Sequence, residues 1–260
     1  MSSEKITIKT PAEIALLKTG GRILAGILKK LAAMVKVGVS TAELEKAAEK
    51  MILAAGGRPS FKGYRVKNEK PFPTVICASL NDEIVHAPAL PSRILKEGDI
   101  IGLDIGMEYP FPGGLFTDTA VTVGAGKISK EAGRLMNATR EALKIGISTV
   151  KPGRSIADIG RAIENYAKKH GVGIVRDLVG HGVGYAVHEA PRIPNYFDAS
   201  LSSLEIKKGM VLALEPMFTL GGEEIKCGPD GFTCQTADGS LSAHFEHTIV
   251  VTEKGAEIIA

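Results

Sequence analysis

Apolar residues recur at helical spacing after Thr10-Pro11-Ala12-Glu13, through Ile14, Leu17, Ile23, Ile27 and Leu31, and predict a first helix. Thr10 can cap its free amides, Pro11 suits the first helical position, and Glu13 can return a bond to the cap. Gly20 and Gly21 weaken its middle, so a close packing contact is expected there. A second helix is expected from Ser40, with Glu43 three residues on, to a stop at Gly56-Gly57. A polar loop over 58–73 leads to a buried strand over 74–79, a turn at Asn81-Asp82 and a short return through Ile84 and Val85. Strands are expected over 99–106 and 115–123, with a loop of turn-forming residues over 107–114 between them.

The second half repeats this grammar. Helices are expected over 129–145 and from Ser155, with Asp158 three residues later, to His170-Gly171. Strands follow over 174–178, 210–218 and 243–252. Short echoes link the halves in the same order. Gly38 and Gly153 each stand two residues before a capping serine. Val85-His86-Ala87-Pro88 is echoed by Val187-His188-Glu189-Ala190-Pro191. The apolar run ending in Asp104 parallels the run ending in Glu215, and Asp118-Thr119-Ala120-Val121 parallels Glu246-His247-Thr248-Ile249. The expected architecture is α/β: one domain over 1–260, with halves at about 10–124 and 128–260 folded around a pseudo-twofold axis. No linker composition separates them.

Candidate chemistry lies where the echoes place acids. Asp104, Asp118, Glu215 and Glu246 each interrupt a hydrophobic run, and a carboxylate in a buried strand is costly unless a cation or hydrogen bonds compensate it. A lone strand-end acid is readily explained by a salt bridge to Lys or Arg. Four converging on one axis would repel, and divalent cations are the natural neutraliser. The glycine-hemmed His181 in Gly180-His181-Gly182-Val183-Gly184 adds an imidazole, whereas its first-half counterpart is Ser79. Four acids and a histidine suit two metal ions with bridging carboxylates.

Composition narrows the classes further. A net charge of +3 and the absence of a basic run do not argue for nucleic-acid binding. Cys77, Cys227 and Cys234 are an odd number, which fits a reducing compartment better than a disulfide framework; Cys227 and Cys234 lack a second ligand pair for zinc. Residues 1–5 have no signal-peptide character and no run of eighteen apolar residues occurs, so a cytoplasmic protein that does not enter the membrane is expected.

These motifs, with Leu214-Glu215-Pro216-Met217 and the run from Ser240 to Thr252, resemble a type I, bacterial-type methionine aminopeptidase. That family belongs to the pita-bread metallohydrolases, and the resemblance covers essentially the whole chain. It implies metal ligands at Asp104, Asp118, His181, Glu215 and Glu246 for two divalent ions, with Mn, Co, Fe and Zn all admissible. Asp118 and Glu246 would bridge the ions, Asp104 would complete one site, and His181 with Glu215 the other. The ions would activate a water to attack the first peptide bond, with Glu215 as general base and then acid. His188 would donate to the developing oxyanion and His86 would contact the scissile nitrogen.

The resemblance also implies a methionine pocket of Phe61, Tyr64, Phe72, Cys77, Val187 and Phe232, and a monovalent Na or K site at Asn81, Glu83 and Ser242. Ordinary core packing is the alternative for Phe61 and Phe72. His244 shares strand parity with Glu246 and is expected to face the site. The implied substrate is the initiator methionine of nascent chains whose second residue is small. Ribosome association and a monomeric state are compatible with it. Two other readings share the fold: an X-Pro peptidase, whose members usually carry an additional N-terminal domain, and a partner-binding homologue, which loses ligands. The chain departs from the family pattern in a longer gap between Asp104 and Asp118, a longer segment over 65–72, and Phe232 where relatives often carry Trp.

Overall fold

The caps written in the sequence start the helices. The structure, a computed structural model, describes residues 6–65 and 69–260. The reading of residues 1–5, and residues 66–68 of the longer segment, lie outside the described residues. Helix α1 (Pro11–Met34) begins after Thr10, whose hydroxyl accepts from the Glu13 N–H at 3.3 Å while the Glu13 carboxylate accepts from the Thr10 N–H at 2.7 Å. Ser40 and Glu43 repeat this box at α2 (Thr41–Ala54). Ser129 caps α3 (Lys130–Thr149), and α4 (Ile156–His170) follows Ser155 and ends at Gly171 with φ 61°. The contact expected at the α1 glycines is present: a Cβ on Gly21 would stand 2.1 Å from the Ile259 carbonyl oxygen, and one on Gly20 3.1 Å from Tyr109 Cβ.

The first half contributes strands β1 (Arg58–Pro59), β2 (Ile76–Leu80), β3 (Glu83–Val85), β4 (Ile100–Tyr109) and β5 (Leu115–Gly124). The second contributes β6 (Gly173–Ile174), β7 (Gly180–Gly182), β8 (Glu189–Ile193), β9 (Val211–Leu214), β10 (Met217–Thr219) and β11 (Ile225–Cys227). It ends with β12 (Cys234–Thr236), β13 (Ser242–His244), β14 (Glu246–Thr252) and β15 (Gly255–Ile258).

The main sheet is antiparallel throughout, in the order β1-β4-β5-β14-β9-β7-β8, with β2 on β4 and β15 on β14. Its centre reads β2-β4-β5 from one half, then β14-β9-β7 from the other, so the order mirrors about the β5–β14 seam. Side chains of α1 and α2 such as Leu24, Leu31, Leu44 and Ile52 cluster with Ile76, Ile101 and Leu103. Leu135, Leu143, Ile159 and Ile163 of α3 and α4 cluster with Leu212, Leu214 and Ile249. Helices thus cover the curled sheet on its outer face, as the pita-bread expectation requires.

Strand boundaries differ from the sequence reading at informative places. β4 runs on to Tyr109, which pairs with Leu115, so the loop expected over 107–114 shrinks to 110–114. The run over 210–218 breaks at Glu215-Pro216, where proline offers no N–H to a ladder, and the run over 243–252 breaks at Phe245. Only Gly173–Ile174 is strand in the region of 174–178. Both second-half acids sit at these interruptions.

Candidate active site

Five adjacent strands deliver the acids and the histidine to one place. Asp104 on β4 and Glu246 on β14 both lie opposite Ala120 of β5, so the three residues form one row across the sheet. Directly opposed residues share a face, and Asp118, two residues from Ala120 on the same strand, shares it too. Ala120 between two acids leaves space that a larger side chain would fill. His181 on β7 pairs with Ala213, two residues before Glu215.

The side chains converge accordingly. His181 Nε2 lies 3.5 Å from Asp118 Oδ2 and 3.5 Å from Glu215 Oε1. One donor atom each from Asp118, His181 and Glu246 falls within 4.8 Å of the others. His181 Nδ1–H donates to the Gly182 carbonyl at 2.9 Å. Because a carbonyl can only accept, the proton is fixed on Nδ1 and the Nε2 lone pair points at the carboxylates.

The charges of this cluster are unbalanced by protein cations. Among the described residues, no Lys or Arg is ion-paired with any of the four acids; their ion-pair neighbours are imidazoles. Asp104 Oδ1 is buried without a hydrogen-bond partner. Burial, then the Asp118 charge, pushes the Asp104 carboxyl up to about 8. Burial lifts Asp118 to about 6, and burial followed by the neighbouring carboxylates drives Glu215 and Glu246 well above the usual range. Burial also depresses His181 to about 4, leaving a neutral imidazole. An orphaned carboxylate oxygen, a lone pair fixed by its tautomer and repelling acids fit bound divalent cations. A salt-bridge explanation of these acids has no partner to stand on.

Above the cluster lies a cavity of about 270 Å³. Its walls include Phe61, Tyr64, Phe72, Cys77, His86, His188 and Phe232, with Asp104, Asp118, His181, Glu215 and Glu246 at its base. The Phe72 and Phe232 rings meet edge-on at 5.6 Å between centroids. The His188 ring stands edge-on to His181 at 4.4 Å, and its Nδ1 lies 2.8 Å from the Tyr64 hydroxyl. His86 adopts φ 59° at the end of β3. Cys77, opposite Asp104 on β2, carries a buried thiol pushed well up by burial and by that carboxyl, so it is a wall rather than a thiolate.

Val187 differs from expectation. It is buried but lies outside the cavity lining, where its neighbour His188 stands. The two residues belong to the bend over 184–188 that joins β7 to β8, which turns His188 to the cavity and leaves Val187 out of its lining. At the expected monovalent-cation loop, the Asn81 side chain bonds Asp99 and Ile100, and the Glu83 carboxylate is held by Arg93 at 2.6 Å. What converges there is backbone: the Ser242 hydroxyl reaches the Glu83 carbonyl at 3.0 Å and the Asn81 carbonyl at 3.5 Å. His244 faces the cluster, as strand parity requires, with Nε2 3.7 Å from Glu215 Oε2.

Sequence reasoning missed Gly106. A Cβ there would meet Ser60 Oγ at 2.2 Å and the Phe61 ring at 2.6 Å, so its absence lets Phe61 close over the Asp118 register position. A glycine inside a predicted strand was the available signal. Leu178, Val179 and Met217 also line the cavity, and only their adjacency to His181 and Glu215 hinted at it.

Comparison with known proteins gives the same picture. The chain is 42% identical over 255 residues to methionine aminopeptidase 1 of Bacillus subtilis, covering 98% of both chains. It is 40% identical over 256 residues to the methionine aminopeptidase of Aquifex aeolicus, again covering 98% of both. The crystal structure of methionine aminopeptidase from Thermotoga maritima superposes with a TM-score of 0.92 at 38% identity, covering 98% of this chain and 99% of that one. The prolidase from Pyrococcus horikoshii shares the fold at TM-score 0.74 and 19% identity, with 62% of its length covered. Residues 15–253 match metallopeptidase family M24, and with that match running from α1 to the end of β14 around the acid cluster, the chain belongs to this family.

Proposed function

We propose that the chain is a methionyl aminopeptidase, acting in the cytoplasm on the initiator methionine of new proteins whose second residue is small. The observation that carries this reading is the convergence of Asp104, Asp118, His181, Glu215 and Glu246 beneath a cavity walled by Phe61, Tyr64, Phe72 and Phe232. Asp104, Asp118, His181, Glu215 and Glu246 would together hold two divalent ions, Asp118 and Glu246 standing at the seam between halves. Such ions, when bound, supply Lewis acidity and lower the pKa of a water.

The protein's own groups do the rest. Glu215 accepts a proton from the attacking water and returns it to the departing amine. The Tyr64 hydroxyl, donating to His188 Nδ1, keeps the imidazole proton on Nε2, where it can donate to the substrate carbonyl oxygen. His86 meets the scissile nitrogen. An unbranched thioether side chain suits the space between Phe72, Phe232 and Cys77, because its soft, flexible chain packs against ring edges. The backbone carbonyls of Asn81 and Glu83, beside the Ser242 hydroxyl, would hold a monovalent cation. The whole chain works as one catalytic unit of two halves, acting as a monomer on nascent chains, and among the described residues no helix is long and apolar enough to cross a membrane.

The experiment is hydrolysis of Met-Ala and X-Pro peptides by chelator-stripped protein with Mn, Co, Fe or Zn restored in turn. Metal-dependent release of methionine from Met-Ala peptides is the expected result. Preferential cleavage of X-Pro peptides would replace this reading by the prolidase one.

A further inference from the structure

Strands β11 and β12 themselves play no part in the chemistry above, yet they place two thiols face to face. Cys227 and Cys234 are direct cross-strand partners, and both are free. The next pair toward the turn is hydrogen-bonded, Gly228 N–H donating to the Thr233 carbonyl at 2.7 Å. Hydrogen-bonded and non-bonded pairs alternate along an antiparallel ladder, so the cysteines occupy a non-bonded pair, where Cα atoms approach to about 4.5 Å. That separation lies within the range a disulfide can span, about 4.4–6.8 Å. Each thiol donates to a weak acceptor in its own turn, Cys227 to the Gly228 carbonyl at 3.5 Å and Cys234 to the Phe232 carbonyl at 3.9 Å.

The turn joining the pair reaches the cavity. Gly231 and Phe232 line it, and Phe232 is the ring that meets Phe72. The turn is stiff: the Asp230 carboxylate accepts from the Phe232 and Thr233 N–H groups, both at 2.9 Å. A change in twist at the base of the hairpin therefore moves the Phe232 wall instead of being absorbed by a slack loop.

We propose that Cys227 and Cys234 form a reversible dithiol–disulfide site whose closure repositions Phe232 and weakens substrate binding; the second half of this statement rests on the aminopeptidase reading. The oxidant is a low-molecular-weight disulfide. The exposed Cys227, as thiolate, attacks it, expelling one small thiolate and forming a mixed disulfide. Cys234 then loses its proton and attacks the Cys227 sulfur, expelling the second small thiolate. Two protein S–H bonds are lost, one S–S bond forms, and the oxidant is reduced to two thiols. Burial lifts the Cys234 thiol to about 11, which makes the second step the slow one. In a reducing compartment such a bond is transient, the usual character of a redox-sensing pair.

The test uses the full chain, incubated with excess oxidised glutathione and examined by intact mass after alkylation of the remaining thiols. The expected result is loss of two alkylation sites without a retained glutathione, whereas Cys234→Ser stops at the glutathione adduct. The closed protein should show KM raised about threefold with kcat within about twofold, reversed by dithiothreitol. Wild type that stops at the adduct, as Cys234→Ser does, would overturn the site. Closure with unchanged KM would overturn the link to Phe232. Absence of any methionine release from the reduced protein defeats the aminopeptidase reading instead, and the mass measurement still decides the site.

Discussion

The two halves hold their acids by different means. In the first, Asp104 and Asp118 sit inside the uninterrupted β4–β5 hairpin, paired across ten registers from Ile100↔Gly124 to Tyr109↔Leu115. In the second, Glu215 follows the end of β9 at a proline and Glu246 opens β14 after the break at Phe245. The ladders fix the aspartates' direction, whereas the glutamates project from strand ends with one more methylene of reach. The histidine marks the sharpest difference. Ser79 pairs with Gly102, two residues before Asp104, and His181 pairs with Ala213, two residues before Glu215. Equivalent places in mirrored sheets thus carry a hydroxyl and an imidazole. A duplicated frame supplies symmetric acids, and one substitution at a matched position makes the two sides of the acid cluster chemically unequal.

The largest effect should come from the seam. Asp118→Asn or Glu246→Gln removes a charge shared by both halves and should lower metal-supported peptide hydrolysis by at least about 10³-fold. Steady-state rates at saturating metal measure it, and a loss under tenfold would contradict the bridging role. Next comes the unequal pair. His181→Ser, which makes the second half resemble the first, should weaken divalent-metal affinity by more than about 100-fold, while Ser79→Ala should leave it within about threefold. Metal titration of the stripped proteins separates the two.

A pH effect follows from the buried cluster, in protein stripped of metal. Carboxyls raised by folding stabilise the folded state only while protonated, so their contribution fades as pH rises from the ordinary carboxylate range toward about 8, the value for Asp104. Histidines lowered by burial, His181 to about 4 and His188 to about 3, work the other way and cost stability only as pH falls below about 6.5. Between about pH 6.5 and 8 the carboxyls act alone. The melting temperature of stripped protein should therefore fall across that window, and restoring metal should abolish the fall. A flat profile in the stripped protein would contradict the stated protonation.

Smaller changes follow. Tyr64→Phe removes the bond to His188 Nδ1 and should lower kcat by about 3- to 10-fold, corresponding to about 1 kcal/mol, with the melting temperature nearly unchanged. The mildest test addresses the frame itself. Gly38 and Gly153 have φ 88° and 85°, and a Cβ at either would meet nothing within 4 Å. Gly38→Ala and Gly153→Ala should therefore each cost about 1 kcal/mol, or about 2–4 °C in melting temperature, from backbone strain alone. Clearly unequal costs would show that the matched turns carry different loads.

Much of this was legible in the sequence because the signals are local. Capping boxes at Thr10 and Ser40, turn glycines and an acid interrupting each apolar run are all set by neighbouring residues. The echoes carried the tertiary information: matched strands implied matched places, and acids at matched places implied convergence. What escaped depends on partners far along the chain. The breaks at Pro216 and Phe245 arise where the chain passes between the main sheet and the three-stranded sheet of β13, β10 and β6, although apolar periodicity continues through them. Val187 was implied by the family resemblance, and the bend over 184–188 leaves it buried outside the cavity lining. The facing of Cys227 and Cys234 required the register of a hairpin whose short strands carry little periodic signal.

Calorimetric titration of the chelator-stripped protein with Mn²⁺ or Co²⁺, run in parallel with Met-Ala hydrolysis, bears most directly on the acids and His181 as a shared metal centre. Two equivalents should bind at the cluster, activity should rise with their occupancy, and both should collapse in Asp118→Asn. Unchanged binding in that variant, or methionine release by wild type that does not depend on added metal, would contradict it.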